Sequence, residues 1–238
     1  MEQQRDVLGG HPPATLIELE QRLIDCRACP RLVAWREEVA ATKRAAFIDD
    51  DYWGRPVPGF GDPNASIAVV GLAPAAHGAN RTGRMFTGDR SGEWLYRAMY
   101  RAGLASQAES TAIDDGLVLT NAWVTAPVRC APPANKPTPA ERDTCAGWFD
   151  AEIGLLKDLR VFITLGQFGY QALWQHLRRS GVELPSPRPA FAHGGEVQLG
   201  DVTILMSYHV SQQNTFTGKL TEGMLDDVFA RAVQLAGV

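Results

Sequence analysis

The hydrophobic positions of this 238-residue chain fall into four short, uninterrupted apolar runs separated by longer segments with helical periodicity. Such runs are typical of strands that a parallel sheet buries on both faces. The predicted strands are residues 67–71, part of 117–128, 161–166 and 202–206. The predicted helices that alternate with them are residues 92–102, 140–156, 167–177 and 221–235. Residues 49–64, rich in aspartate, glycine and proline, are predicted to be a loop.

A further helix is predicted to begin at Thr15, ahead of the first strand. Thr15 and Glu18 have the spacing of a capping box, and leucines at positions 16, 19 and 23 recur along one helical face. The alternation of helices with buried strands indicates an α/β fold, namely a doubly wound sheet that is mostly parallel and four-stranded.

The four cysteines of the chain are spaced Cys26-x2-Cys29 and Cys130-x14-Cys145. Disulfide frameworks are typical of short secreted chains, whereas this chain is long and begins with no charged-then-apolar signal segment, so we expect reduced thiols in a cytoplasmic protein. Four thiolates converging on one point indicate a metal site. Their spacing allows tetrahedral zinc or an iron–sulfur cube, and unpaired buried cysteines are the alternative without metal.

A metal on these cysteines would tie the start of the chain to its middle. We therefore expect one domain over residues 1–238, with residues 1–14 as a flexible tail.

Composition limits the class of partner. With 45% hydrophobic and 21% charged residues the chain is globular, and no uninterrupted apolar run approaches membrane-spanning length. The net charge of −4 and the pI near 5.7 give no overall signature of nucleic-acid binding. An anionic partner would need a local patch of basic residues. The candidates, unless they are merely solvated, are Arg81, Arg84, Arg90, Arg97 and Arg101.

Chemistry-bearing residues follow the predicted strands at their carboxyl ends. Residues 71–78 are rich in glycine and small side chains, Asn135 lies in the loop after the second strand, and His209 follows the fourth. Because ligands of open α/β sheets bind outside these ends, we expect all three to converge on one site, with one cysteine pair beside it. The chain has no Walker loop and no Gly-x-Gly-x-x-Gly after a strand, so we expect no nucleotide cofactor.

Five segments of the chain are distinctive in their order and spacing. They are Cys26-Arg-Ala-Cys-Pro-Arg, Gly71-Leu-Ala-Pro, Arg81-Thr-Gly-Arg-Met-Phe-Thr-Gly-Asp89, Arg129-Cys-Ala-Pro-Pro-Ala-Asn-Lys-Pro-Thr-Pro139 and Ser207-Tyr-His-Val-Ser-Gln-Gln-Asn-Thr-Phe-Thr-Gly218. In these segments the chain resembles the family-five, type B uracil-DNA glycosylases of the uracil-DNA glycosylase superfamily. The resemblance spans the chain from Cys26 to about Thr221.

The resemblance implies a three-layer αβα sandwich stapled by an iron–sulfur cluster, and an enzyme that excises deaminated bases from DNA. The implied cofactor is a structural [4Fe–4S] cluster held by Cys26, Cys29, Cys130 and Cys145.

The resemblance also assigns catalytic roles, since a base must leave the DNA stack before its bond to the sugar is hydrolysed. Phe86 would stack on the flipped ring, and His209 would hydrogen-bond a carbonyl oxygen of the departing base. Asp89 would offset the cationic sugar and position the attacking water, with a helix N-cap as its alternative or additional role. Asn135 completes the predicted catalytic set.

The remaining substrate contacts are assigned to two loops. The first loop supplies Gly71, Leu72, Ala73 and Pro74. In the second loop Ser211 and Asn214 would contact DNA phosphates, and Phe216 would fill the gap left by the flipped base unless it packs in the core. Lys136 and Lys219 are assigned to phosphates rather than to a covalent intermediate, so we expect a monofunctional enzyme without strand nicking.

Two departures from related branches bear on the choice of base. Residues 71–78 contain no acidic residue, so the water-activating role passes to Asp89. Thr125-Ala126 stands where a Thr-Asn pair usually reads uracil. Without that amide we expect looser base reading that extends to hypoxanthine and other damaged bases, with Asn135 as the nearest replacement.

The alternative to an enzyme is a non-catalytic protein of the same fold that binds damaged or single-stranded DNA. An electron-transfer protein, which would need a reversibly cycling cluster, is a more distant alternative. In either DNA-directed role we expect a monomer in the cytoplasm that associates with the nucleoid when acting.

Overall fold

A mixed six-stranded sheet forms the centre of the protein in the computed structural model, which describes residues 7, 8 and 10–238. The strands are β1 (Phe60–Gly61), β2 (Ile67–Val70), β3 (Ala122–Thr125), β4 (Val161–Leu165), β5 (Glu196–Leu199) and β6 (Val202–Ser207). Their order across the sheet is β1-β3-β2-β4-β6-β5. The four inner strands pair in parallel, whereas β1 and β5 pair antiparallel at the two edges.

Helices lie before, between and after these strands. They are α1 (Leu16–Leu23), α2 (Pro30–Thr42), α3 (Ala79–Thr82), α4 (Arg90–Arg101), α5 (Pro139–Leu155), α6 (Gln167–Arg179), α7 (Gln212–Phe216) and α8 (Glu222–Ala236). Two 3₁₀ turns, Ala45–Phe47 and Pro133–Asn135, complete the regular structure of the described residues. In this part of the chain no helix combines the length and apolar character needed to cross a bilayer.

The α/β fold and the four parallel inner strands are confirmed, but the prediction of a four-stranded sheet is wrong. The edge strand β1 has only two residues, lies within the predicted loop 49–64, and carries no readable alternation. The edge strand β5 alternates exposed and buried residues over four positions and turns through Gly200 (φ +59°) into β6. Edge strands bury less apolar surface than inner ones, so their sequence signal is weaker.

Hydrophobic clusters cover both faces of the sheet. Successive residues of a strand point to opposite faces, so Ile67 and Val69 join one cluster while Ala68 and Val70 join the other. The first cluster includes residues of α4 and α8, and the second includes residues of α5 and α6. The sheet therefore lies between two layers of helices, and its carboxyl edge stays open to loops.

The start of α1 follows the predicted cap. The Glu18 amide donates to Thr15 Oγ1 at 3.1 Å, and the Glu18 carboxylate accepts from the Ala14 amide at 2.8 Å. Of the predicted flexible tail, residues 1–6 and 9 lie outside the described residues. Val7 and Leu8 pack against the cluster that α1 shares with α5.

The helix α2 was not predicted. Its buried positions include Arg36 beside Leu32, Val33 and Val39, so the apolar stripe that signals a helix is interrupted by a charge.

Candidate active site

The loops that follow β2, β4 and β6 begin side by side at the carboxyl edge of the sheet. The Gly71 amide donates to the Thr125 carbonyl at 2.8 Å, and the Gly166 amide donates to the Ser207 carbonyl at 2.7 Å. These bonds extend the strand pairing by one residue. The crevice between the loop after β2 and the loop after β6 therefore starts at a fixed position. Residue 166 needs its glycine, since φ is +87° and a Cβ would stand 3.2 Å from His209 Cβ.

Phe86 lies over the start of the first loop. A Cβ on Gly71 would stand 2.7 Å from Phe86 Cζ, so the ring contacts the backbone that follows β2. The ring centroids of Phe86 and His209 are 6.3 Å apart, with the planes tilted by 36°. The ring is half-buried, and one of its sides can therefore face a ligand in the crevice.

The backbone of Phe86 is held in an unfavourable conformation. Its φ of +54° lies in the left-handed region, which costs a non-glycine residue about 1 kcal/mol or more. The Tyr96 hydroxyl donates to the carbonyl of Met85 at 2.7 Å, and a Cβ on Gly92 would stand 1.8 Å from the carbonyl oxygen of Phe86. Helix α4 therefore fixes the turn that presents the aromatic ring.

A buried network supports the same turn from the other side. Arg84 Nη2 donates to Asp115 Oδ2 at 2.6 Å and to Ser110 Oγ at 2.8 Å, while Arg84 Nε donates to Thr87 Oγ1 at 2.9 Å. Burial alone would raise the pKa of Asp115, but bonds from Arg84 and from three backbone amides outweigh it and lower that pKa to about 2. Asp115 lies outside the five motif segments, and no local pattern pointed to it.

His209 follows β6 by two residues, and its ring lies beside that of Phe86. Burial lowers the pKa of its imidazole to about 4, because the charged form would lose its hydration. The imidazole is therefore neutral near pH 7. Asn214 Nδ2 donates to the His209 carbonyl at 2.8 Å and ties the following loop to this residue.

Of the two roles expected of Asp89, the helix N-cap is confirmed and the catalytic role stays a prediction. Asp89 is the N-cap of α4, where Oδ1 accepts from the Gly92 amide at 2.9 Å. Its other oxygen, Oδ2, lies against Gly78 in the first loop, where a Cβ would stand 2.1 Å away. Burial raises the pKa of Asp89, and the amides of Gly92 and Ser91 offset only part of that effect. One carboxylate therefore joins α4 to the loop at residues 71–78.

The other predicted residues of the first loop line its path away from β2. Gly71 and Pro74 are buried, whereas Leu72 and Ala73 are half-buried. Ala73 packs with Cys29 against the cluster that contains Cys130. The first loop therefore connects the crevice to the cysteine region, as the topology predicted.

Asn135 ends the 3₁₀ turn Pro133–Asn135 and is exposed. Ala134 and Asn135 are both left-handed, with φ of +54° and +55°, and such strain persists only where the surroundings hold it. The side-chain amide makes no hydrogen bond to another described residue.

The three predicted DNA-contacting residues in the loop after His209 have different surroundings. Ser211 is the N-cap residue of α7, with its hydroxyl uncommitted among the described residues. The Asn214 amide is committed to the His209 carbonyl. Phe216 is 64% exposed, so core packing does not explain it.

Two cation–π contacts flank the crevice on this loop. The Arg90 guanidinium lies 4.6 Å from the centroid of the Phe216 ring, and Lys219 Nζ lies 4.7 Å from that of Tyr208. Both cations stand beside aromatic rings that are exposed or half-exposed.

Most of the predicted basic patch is neutralised by ion pairs. The pairs are Arg81 with Asp50, Arg84 with Asp115, Arg97 with Glu222, and Arg101 with Glu222 and Asp226. Within residues 7, 8 and 10–238, Arg90 alone of the five has no carboxylate partner. The patch is thereby reduced to one free cation next to Asp89.

The four cysteines come together behind the crevice. Cys26, Cys29, Cys130 and Cys145 line one cavity between α1, α2, α5 and the loop after β3. Burial raises the pKa of Cys29 and Cys130 to about 11 and raises that of Cys145 as well. No three histidine, cysteine or acidic side chains among the described residues form a group that could hold a metal ion. The iron–sulfur staple is therefore not established by the fold itself.

A buried ion pair links the lining of this cavity to the end of β3. Arg129 donates to both oxygens of Glu152, at 3.0 and 2.7 Å, and Thr125 Oγ1 donates to Glu152 Oε2 at 2.5 Å. All three side chains are buried. Thr125 is thereby committed to the interior rather than to the crevice.

The fold, the crevice residues and a family model define the class of this protein. The model of the uracil DNA glycosylase superfamily matches residues 58–233, and the chain belongs to that superfamily.

The branch is shown by individual relatives. A type-5 uracil-DNA glycosylase of Mycobacterium tuberculosis is 54% identical over 226 residues, which cover 94% of this chain and 83% of the relative. A type-5 uracil-DNA glycosylase of Thermus thermophilus is 53% identical over 221 residues, 92% and 97% of the two chains. A type-4 uracil-DNA glycosylase of Pyrobaculum aerophilum is 28% identical over 159 residues, 66% of this chain and 72% of the relative. The resemblance to the family-five branch is confirmed.

Proposed function

We propose that this protein is a monofunctional DNA glycosylase that hydrolyses the N-glycosidic bond of uracil, and also of hypoxanthine and other deaminated bases, in base excision repair. The observation that carries the proposal is an aromatic ring beside a neutral imidazole, on a turn packed against the helix N-terminus that a half-buried carboxylate caps. These groups are Phe86, His209 and Asp89.

The flipped base binds between the first loop and the loop after β6. Its ring stacks on Phe86, whose turn is held rigid by α4 and the Arg84 network. A rigid platform lowers the entropy lost on binding. The base is then next to His209, since the two rings are 6.3 Å apart.

His209 acts as a neutral hydrogen-bond donor. When the bond between the base and C1′ breaks, the base leaves with the electron pair, and negative charge develops on its carbonyl oxygen. An N–H group held in a site of low dielectric stabilises this charge more than water does. A charged imidazolium would cost more to bury, which agrees with the lowered pKa of this residue.

Asp89 acts on the sugar side. Its carboxylate offsets the positive charge that develops on the sugar ring and orients a water towards C1′. The water oxygen forms the new bond to C1′, and its proton passes to the carboxylate. The products are an abasic site and the free base, which takes up a proton from solvent.

Broad base choice follows from the residues near the end of β3. Thr125 is bonded to Glu152, and Ala126 is buried and carries no amide. The pocket therefore lacks at this point the paired donor and acceptor with which an amide would reject other bases. Asn135, exposed on a strained turn after Cys130, is the proposed replacement and the third catalytic residue.

DNA is held mainly at the mouth of the crevice. The Ser211 hydroxyl, Arg90 and Lys219 are proposed to contact phosphates, while Phe216 enters the gap left by the flipped nucleotide. Asn214 contributes by fixing the carbonyl of His209. A monomeric state, independence from nucleotide cofactors and a cytoplasmic, nucleoid-associated location stay predictions.

We also propose a structural [4Fe–4S] cluster on Cys26, Cys29, Cys130 and Cys145. Support comes from the single cavity that all four line, and none of the four is consumed by a disulfide. Because zinc also accepts four thiolates, the choice of an iron–sulfur cluster rests on the resemblance to the family-five branch. When bound, the cluster cross-links α1, α2, α5 and the loop that carries Asn135, and it supplies no step of the hydrolysis.

The test is base release from oligonucleotides that each carry one damaged base, with and without alkaline cleavage. Removing one stabilising donor or a general base costs about 100- to 1,000-fold, so Asp89→Ala and His209→Ala should lose nearly all release. Asp114→Ala and His11→Ala, both at exposed positions, are the controls. Full activity of both site variants would refute the assignment.

The same assay separates the rival function. Tight binding of damaged or single-stranded DNA without any base release would favour the non-catalytic role. A covalent adduct trapped with borohydride would contradict a monofunctional mechanism, because that mechanism uses no lysine nucleophile.

A further inference from the structure

Two arginines are almost completely buried beside the cysteine cavity, and their charges are compensated in different ways. Arg129, 1% exposed, is paired with both oxygens of Glu152. Arg36, 2% exposed, has no such partner. Its nearest carboxylate among the described residues is Glu37 on the surface, 3.9 Å away and already bound by both terminal nitrogens of Arg27.

The hydrogen bonds of Arg36 go to the cysteine segments instead. Nη1 donates to Cys130 Sγ at 2.9 Å, and Nη2 donates to the Cys26 carbonyl at 3.1 Å. The Asn80 amide donates to the Arg36 carbonyl at 3.2 Å and fixes the backbone of the arginine. One guanidinium thereby joins two of the cysteine segments, which are more than a hundred residues apart in the chain.

A guanidinium cannot be deprotonated in a protein, and an uncompensated buried charge costs several kcal/mol. A neutral thiol gives Arg36 no counter-charge. Four thiolates around a [4Fe–4S]²⁺ core would supply this counter-charge, because they carry more negative charge than the core neutralises. The planar fork of arginine also suits a site that must reach a sulfur and a carbonyl oxygen together.

We infer that Arg36 is a positioning residue for the cluster: its buried charge and its hydrogen bond to Cys130 Sγ set the reduction potential of the cluster and slow its loss. The inference rests on the proposed [4Fe–4S] cofactor. Hydrogen bonds to cluster sulfurs and nearby charge are established means of tuning such centres. A positive charge favours the more negative, reduced state, so Arg36 raises the potential.

The experiment compares Arg36→Gln and Arg36→Lys with the wild type after anaerobic purification. Midpoint potentials are measured by spectroelectrochemical titration, and cluster loss is followed by the decay of visible absorbance in the presence of a chelator. Arg36→Gln should shift the potential to more negative values and lose the cluster about 10- to 100-fold faster. Arg36→Lys keeps the charge but cannot make both hydrogen bonds, so it should lose the cluster at an intermediate rate.

Arg55→Gln is the matched control, because it removes the same charge from an exposed side chain next to Pro56, which lines the cavity. A wild-type potential and a wild-type rate of loss in Arg36→Gln would overturn the inference. Should that variant not be recovered folded, Arg36→Lys decides: faster loss supports the inference, and a wild-type rate overturns it.

Measuring iron and acid-labile sulfide in the wild type tests the presence of the cluster independently of the role of Arg36. Absence of both would mean that the cluster proposal has failed. Presence of both, together with unchanged properties of Arg36→Gln, would remove only the role of Arg36.

Discussion

Gly78 and the carboxylate of Asp89 are in direct contact, so tightly that a Cβ at position 78 would stand 2.1 Å from Asp89 Oδ2. The other carboxylate oxygen is bonded to the Gly92 amide at 2.9 Å. The carboxylate is therefore held between the first loop and helix α4. Glycine at position 78 serves this close approach, because a Cβ there would overlap the carboxylate.

Gly78→Ala should lower the rate of base release by displacing the carboxylate of Asp89. Displacing a catalytic group by about 1 Å can cost about 100-fold, and we expect a loss of that order in kcat with little change in KM. Single-turnover assays on uracil-containing DNA measure it. The control is Gly154→Ala on helix α5, where an added Cβ meets nothing within 4 Å.

The acid limb of base release should be set by the carboxyl of Asp89 and not by the imidazole of His209. His209 must be neutral, and its pKa is lowered from 6.5 to about 4, so this requirement fails only as the pH falls through about 4. Asp89 must be ionised, and its pKa is raised above 3.8, so activity is lost as the pH falls through that raised value. Single-turnover rates across the acid range, with circular dichroism as a check of folding, test this. An acid limb centred near 6.5 in the residual activity of Asp89→Asn, where this carboxyl is absent, would contradict a neutral His209.

Asp115→Asn should destabilise the protein and weaken base binding. It leaves Arg84 with a buried charge and no counter-ion, which costs about 3 kcal/mol at neutral pH. The wild-type advantage is complete above the ordinary pKa of 3.8 and disappears as the pH falls through about 2, where Asp115 also becomes protonated. The free energy of unfolding in urea, measured at neutral and at acidic pH, checks both the loss of stability and its disappearance.

The neighbouring exposed residue provides the control for that experiment. Asp114→Asn removes an equal charge one position away and should leave the free energy of unfolding within about 0.5 kcal/mol of the wild type. Equal effects of the two substitutions would show that the Arg84–Asp115 pair does not hold the Phe86 turn.

Phe216→Ala should slow release from duplex DNA more than release from single strands. Only a duplex leaves a stacked gap for the exposed ring to fill, and we expect about a tenfold loss there. Parallel assays on both substrates measure the ratio. Ile113→Ala, at another exposed apolar residue, should leave the ratio unchanged. An equal loss on both substrates would argue that Phe216 binds the strand rather than filling a gap.

The four inner strands, the long helices that alternate with them and the sheet edge proposed for the site could all be predicted from the amino-acid sequence alone. Inner parallel strands are buried on both faces, so each appears in the sequence as a local apolar run. The motif segments that contain Phe86 and His209 match the known branch in order and spacing and so indicated the superfamily, and chain topology then brought their loops together.

Which charges are free could not be predicted in this way, because it depends on the packed fold. Arg84 pairs with Asp115, 31 residues away, and Arg97 pairs with Glu222, 125 residues away. No local sequence pattern predicts such pairs. The same holds for Arg36 and Cys130, which are 94 residues apart, and for the exposure of Phe216. Periodicity is a property of neighbouring residues, whereas charge compensation and exposure depend on which distant segments the packed core brings into contact.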